Sequence, residues 1–249
     1  MQVKLLEATD EAEEVICRAA RNDYMSEYGA EMPFSEVMSS IDGDSIEEKK
    51  GTLIGNLMDH GHYGPFEHVQ ATFHVEGISR SCMAQITRHR HASFDIQSMR
   101  YVPFDEADPT PGEAVVTIPE LEDPTIAGRN AEFAEVFEDL DPEEILEKRR
   151  DVYEQAMKES FMAYNELLDL GAAPENARMV LPIGTKVNMV VSLNARMLMH
   201  VADMRAAADA QWEIRKMTEG ILDLAEDWCP YTFEYYNENL KNRKNRLAP

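Results

Sequence analysis

Apolar and polar residues alternate through residues 2–7, which predicts a short strand. The acids Asp10, Glu11, Glu13 and Glu14 then open a helix, because the helix dipole favours carboxylates in a first turn. Residues 25–45, rich in Ser, Gly, Pro and acids, read as a connection. A second helix starts at Ser45 and runs to about Asp59, with Leu53, Ile54, Leu57 and Met58 at helical spacing. Gly61, Gly64 and Pro65 break it, and Val69 to Val75 alternates as a strand. Ser79 to Arg90 reads as a helix that places Gln85, Arg88 and His89 on one face, followed by an extended piece from Ser93 to Tyr101. Pro142 suits the first position of a long helix reaching about Asp169, whose apolar stripe holds Ile145, Tyr153, Met157, Phe161, Tyr164 and Leu168. Gly171 stops it. A short helix at Glu175–Leu181 ends before Pro182, and Lys186 to Leu193 is a β-branched, apolar run that reads as a buried strand. A further helix opens at Asn194 and continues through Arg205. At about 100° per residue, Asn194, Val201 and Arg205 share one side of it and Arg196 and His200 nearly the opposite side.

A chain of 249 residues, 44% hydrophobic, buries a substantial core, and it reads as one domain over residues 1–249. No apolar run approaches the ~20 residues needed to span a bilayer, and the N-terminus lacks a signal-peptide pattern. The widely spaced cysteines, Cys17, Cys82 and Cys229, fit a reducing cytoplasm without a disulfide framework. Acids outnumber bases 47 to 24, for a formal charge of -23, which repels nucleic acid and anionic membranes. The acids recur on most helical segments, as expected of a protein kept soluble in the high-salt cytoplasm of a halophile. Residues 105–147 hold fifteen acids, five prolines and one base, Arg129, so the stretch around 105–140 reads as an acidic surface insertion.

Two stretches run against this charge. From Arg88 to Tyr101, Arg88, Arg90 and Arg100 stand with His89, His91, Ser93 and Ser98 against one acid, Asp95. Between Asn176 and Arg205, four bases (Arg178, Lys186, Arg196, Arg205) face one acid, Asp203. Guanidinium forks match phosphate or carboxylate two bonds at a time, so the first stretch points to an anion site for a phosphorylated ligand. Four histidines, His60, His62, His68 and His74, offer a metal-dependent hydrolase as an alternative. Their spacing is poor, and no acid lies where a binuclear site near His60 and His62 needs one. A non-catalytic nucleotide-binding protein is the other alternative. No G-x-G-x-x-G follows a strand, and no Walker loop is present.

Arg88-His89-Arg90, seven residues, then Ser98 and Arg100 form an RHR-x7-S-x-R pattern that resembles the signature of the flavin-dependent thymidylate synthases (ThyX). The resemblance extends to Pro65-Phe66-Glu67-His68, Ala177-Arg178-x-x-Leu181-Pro182, Asn194-Ala195-Arg196-x-Leu198-Met199, Arg205-Ala206, Ala210-Gln211-Trp212-Glu213-Ile214 and Cys229-Pro230-Tyr231-Thr232-Phe233, in the family's order. It covers most of residues 60–101 and 174–233. Ile96, Phe94-Asp95, His200 and Asp209 depart from residues frequent in the family.

What the resemblance implies is reductive methylation of dUMP to dTMP, with methylenetetrahydrofolate as carbon donor and FAD, reduced by NADPH, as hydride source. Carried over position by position, Gln85, Ser98, Arg100, Arg178 and Arg205 bind dUMP. Arg100 and Arg205 take its phosphate, and Arg178 polarises the base. His62, Arg88, His89, Arg90, Asn194, Arg196 and His200 face FAD. Arg178 and Ser98 are the catalytic candidates, Ser98 as a hydrogen-bonding group because no base is visibly paired with it. No metal is expected. The resemblance also implies a cytoplasmic homotetramer with active sites shared between subunits. The expected fold is α+β, a central, largely antiparallel sheet with long helices packed against it.

Overall fold

A computed structural model describes residues 1–27, 29–104, 106–126 and 141–241. Along the chain run β1 (Gln2–Ala8), α1 (Ala12–Asn22), α2 (Phe34–Val37), α3 (Ile46–Asp59), β2 (Gln70–Ser79), α4 (Arg80–Ile86), β3 (Ser93–Ile96), α5 (Pro142–Asp169), α6 (Pro174–Ala177), β4 (Lys186–Asn194), α7 (Ala195–Arg205), α8 (Trp212–Trp228) and α9 (Pro230–Tyr235). The strands form one sheet in the order β1-β2-β4-β3, and the class is α+β, as expected. β1 lies antiparallel to β2 in a register from Gln2 opposite Glu76 to Ala8 opposite Ala71, with an irregularity between Leu5 and Glu7. Among the described residues no helix is long and apolar enough to cross a membrane.

The chain divides into two compact units. The first comprises residues 1–76, 84–95 and 188 onward, the second residues 77–83 and 96–187. In the first unit the period-two pattern of β2 sends Ala71, Phe73 and Val75 into the core. α8 contributes Ile214, Met217, Ile221, Leu222 and Ala225 from one face. α3 begins as read, with the Ser45 hydroxyl accepting from the Glu48 N–H at 3.1 Å and Glu48 reaching back to the Asp44 N–H at 2.7 Å. α3 and α9 meet closely at Gly55, where a Cβ would lie 3.0 Å from the Tyr235 ring. Several polar groups that enter this core are paired. The Trp228 indole donates to Thr9 O at 3.0 Å, Glu13 accepts from the Thr232 N–H at 3.1 Å, and the Tyr236 hydroxyl donates to Asp203 at 2.7 Å. All three cysteines are buried and none is in a disulfide, and burial pushes the Cys17 thiol up to about 12.

The second unit is built on α5. Asp141 caps this helix by accepting from the Glu143 N–H at 2.9 Å, Pro142 stands in its first turn, and Gly171 adopts φ 87° just beyond its end. Over the part that is described, the acidic, proline-rich stretch is mostly exposed or half-buried, with three apolar residues turned inward. Val115, Val116 and Leu121 are buried. The Val116 N–H donates to Gly184 O at 3.0 Å and the Lys186 N–H to Ala114 O at 2.8 Å, which adds this stretch alongside residues 184–186. Arg150 and Tyr153 of α5 hold it from the other side through Leu121 O and Val116 O, both at 2.9 Å. Scattered apolar residues among many acids hide such a role, since the pattern has no period. Residues 105 and 127–140 of the expected insertion lie outside the described residues.

Two expectations around the signature are corrected. The helix expected over Ser79–Arg90 ends at Ile86, so Arg88 and His89 follow it rather than sharing its face. The extended piece expected over Ser93–Tyr101 is a strand only to Ile96. The turn beyond is closed by the Val102 N–H bonding to Ser98 O at 3.0 Å.

Candidate active site

β4 delivers the chain to α7 in the first unit, and Asn194 is the junction. Its extended backbone ends the strand, and its side-chain oxygen accepts from the Met197 N–H at 2.7 Å, leaving the amide NH₂ available to a ligand. Because Asn194 is a cap and not a helical residue, the 100° spacing does not apply to it. Asn194, Arg196 and His200 therefore line one cavity of about 400 Å³, together with Glu67, His91 and Met197. A second cavity of about 420 Å³ is lined by Arg88, His89, Arg90, His91, Met197, His200, Met204 and Arg205. His91, Met197 and His200 belong to both, so the two sides of α7 expected from spacing meet at His200.

The inner wall of the second cavity is a hydrogen-bonded pair. Arg205 Nε donates to His89 Nε2 at 3.0 Å, and Arg205 Nη2 donates to Gln85 O at 3.3 Å. The acceptor role at Nε2 puts the proton of neutral His89 on Nδ1. His89 is 5% exposed and meets the His200 ring edge-on at 5.9 Å. Burial, with the charges of Arg205, His200 and Arg88 nearby, lowers its pKa from 6.5 to about 4. Arg88 and Arg90 are exposed and form no salt bridge among the described residues, while Arg196 pairs with Glu67. His62 is also exposed, stacks on His60 at 6.3 Å, and lines neither cavity.

Ser98, Arg100 and Arg178 belong to the second unit. The Ser98 hydroxyl accepts from the Arg100 N–H at 3.2 Å. Arg100 reaches Glu175 through Nε at 3.0 Å and Nη2 at 2.9 Å, and its guanidinium lies 5.5 Å from the centroid of the exposed Tyr101 ring. Arg178, in the 3₁₀ turn after α6, donates from Nε to Glu175 O at 3.1 Å. Arg80 lies near enough to Arg178 that burial and this second cation together lower its pKa.

Four participants carried no role in the sequence reading. Glu67 and His91 sit inside its motifs, Glu175 opens its short helix before Pro182, and Arg80 lies in the helix before the signature. Arg80 had a signal, a base at the first position of a helix, where the dipole disfavours it. The four histidines of the metal alternative have separate surroundings, apart from the stacked His60 and His62. His60 bonds Asn56 O, His74 pairs with Glu76 at 3.2 Å, and His68 lines a groove beside α1. Among the described residues no three His, Cys, Asp or Glu side chains gather as a metal site.

Residues 4–231 match the family described as thymidylate synthase complementing protein (Thy1). A flavin-dependent thymidylate synthase of Haloarcula marismortui is 62% identical over the whole of both chains, and one of Halobacterium salinarum is 57% identical over the same extent. A third, from Thermosipho africanus, is 34% identical over 78% of this chain and 79% of its own. Among solved structures, a UMP/dUMP methylase, PolB, from Streptomyces cacaoi bound with 5-Br dUMP superposes with a TM-score of 0.72 at 24% identity, covering 100% of this chain and 97% of its own. The chain belongs to the thymidylate synthase complementing protein family, that of the flavin-dependent thymidylate synthases.

Proposed function

We propose that this protein catalyses the reductive methylation of dUMP to dTMP, with methylenetetrahydrofolate as carbon donor and FAD, reduced by NADPH, as cofactor. The observation that carries the reading is the cluster of donors around α7. In a chain of net charge -23, Arg88, Arg90, Arg196 and Arg205 line, with His89, His91, His200 and Asn194, two cavities that share His91, Met197 and His200. This donor set fits a dinucleotide. Exposed arginines suit its phosphates, and the free amide of Asn194 suits a ring carbonyl. Arg88, His89, Arg90, Asn194, Arg196 and His200, together with His62, would hold FAD. When bound, the flavin supplies the hydride.

The chain's own contribution is binding and polarisation. Arg100 and Arg205 take the dUMP phosphate, Gln85 and Ser98 hydrogen-bond the nucleotide, and Arg178 stabilises negative charge as it develops on the pyrimidine ring. Nucleophilic catalysis by cysteine is not needed for this route, and Cys17, Cys82 and Cys229 are all fully buried. Burial also raises the thiol pKa of Cys17 and Cys229, opposite to what a nucleophile requires. The enzyme works in the cytoplasm as a homotetramer with sites shared between subunits.

A visible absorption spectrum of protein purified in high salt tests the reading. Flavin bands that bleach with NADPH and return in air are expected, and Arg178→Ala keeps those bands while losing turnover. A protein that stays colourless after incubation with FAD overturns it.

A further inference from the structure

We propose that Glu175 is the positioning residue of the nucleotide-phosphate site, an inference that rests on the assignment of dUMP to Arg100 and Arg178. Among the described residues, Glu175 is the one that touches both arginines by a hydrogen bond, and it does so in a way that leaves their outward donors available. Its carboxylate oxygen takes Arg100 from the side, at Nε (3.0 Å) and Nη2 (2.9 Å). That edge of a guanidinium is distinct from its far end, so Nη1 and the outer Nη2 proton remain to grip a phosphate. Its backbone carbonyl takes Arg178 at Nε, at 3.1 Å, which leaves both terminal nitrogens of that side chain to a ligand.

The surroundings fit this role. Long arginine side chains at half-exposed positions lose rotamer entropy on binding an anion, and prior anchoring at Nε removes part of that loss. Arg100 is further confined by the Tyr101 ring at 5.5 Å. Glu175 is in the first turn of α6, and Arg178 follows that helix, so the two side chains start three residues apart on a fixed turn. Arg100 is 75 positions away in sequence and is brought to them by the fold. Arg80 adds a further positive charge beside Arg178, and one carboxylate among these three cations leaves the cluster positive.

The test measures dUMP and deoxyuridine binding to the full chain loaded with flavin, and KM and kcat for dUMP, in wild type, Glu175→Ala, Glu175→Gln, Arg100→Ala and the double variant with Ala at both positions. Glu175→Ala is expected to weaken dUMP binding about five-fold, the upper end of what a half-exposed ion pair contributes. The KM for dUMP should rise by a like factor, with the change in kcat smaller, because the carbonyl that holds Arg178 is retained. Deoxyuridine, which lacks the phosphate, should bind both proteins equally. Glu175→Gln keeps an acceptor oxygen and should restore dUMP binding to within about two-fold of wild type. In the Arg100→Ala background, Glu175→Ala should add no further loss. Unchanged or tighter dUMP binding by Glu175→Ala overturns the inference, since Glu175 would then be idle or a competitor for Arg100. Equal losses for deoxyuridine, or a full further loss in the Arg100→Ala background, overturn it as well. Flavin-loaded wild type that fails to bind dUMP overturns the substrate assignment itself, and the inference falls with it.

Discussion

Protonation of His89 should unfasten Arg205 and destabilise the folded chain in mild acid. His89 accepts the Arg205 Nε–H at 3.0 Å through Nε2, so it must be neutral for the bond to exist. Burial, reinforced by Arg205, His200 and Arg88, holds its pKa at about 4 against an ordinary value of 6.5. The folded state thus binds fewer protons than the unfolded chain. The associated stability is complete above about pH 6.5 and is lost as the pH falls through about 4. At 1.36 kcal/mol per pH unit the whole gap amounts to about 3 kcal/mol, of which roughly 2 kcal/mol disappears between pH 7 and pH 5. His89→Gln keeps an acceptor near the Nε2 position and cannot titrate. Urea unfolding of both proteins at pH 7 and pH 5, in the same high salt, should show wild type losing roughly 2 kcal/mol more than the variant. NMR titration should show an imidazole pKa well below 6.5, with the proton on Nδ1. Parallel losses in the two proteins, or a His89 pKa at or above the ordinary value, refute the reasoning.

Three further perturbations separate chemistry from architecture. Ser98 bonds the Arg100 N–H at 3.2 Å, so Ser98→Ala should keep turnover within about ten-fold of wild type, as loss of one hydrogen bond implies; complete loss of turnover with dUMP still bound would make Ser98 indispensable. Asn194→Ala removes the cap of α7 at Met197 and should cost about 1 kcal/mol in unfolding experiments and weaken flavin binding, while Asn194→Asp restores the stability. Tyr236→Phe removes a 2.7 Å bond to Asp203 inside the core, and denaturant titration should show a loss of roughly 1–2 kcal/mol with flavin content unchanged.

Local rules made much of the architecture legible from sequence. Period-two alternation marked β1 and β2, a β-branched apolar run marked β4, and helical spacing marked α3 and α5. Ser45, Asp141 with Pro142, and Gly171 marked helix ends within a residue or two. Each of these signals acts between residues a few positions apart, where backbone sterics and dipoles decide the outcome before any packing. The basic stretches were equally plain, because a run of guanidinium groups in an acidic chain is a compositional fact. Only the tertiary structure decided how the charges are used. Arg205 with His89 spans 116 positions, Arg196 with Glu67 129, and Arg100 with Glu175 75. No periodicity carries information over such distances. The same holds for residues 114–121, whose apolar side chains gain meaning from α5 and residues 184–186 packing on them. The sequence determined which residue types were present and which short elements they form. Long-range packing determined which arginine is anchored, by which acceptor, and therefore which of its donors remain for a ligand.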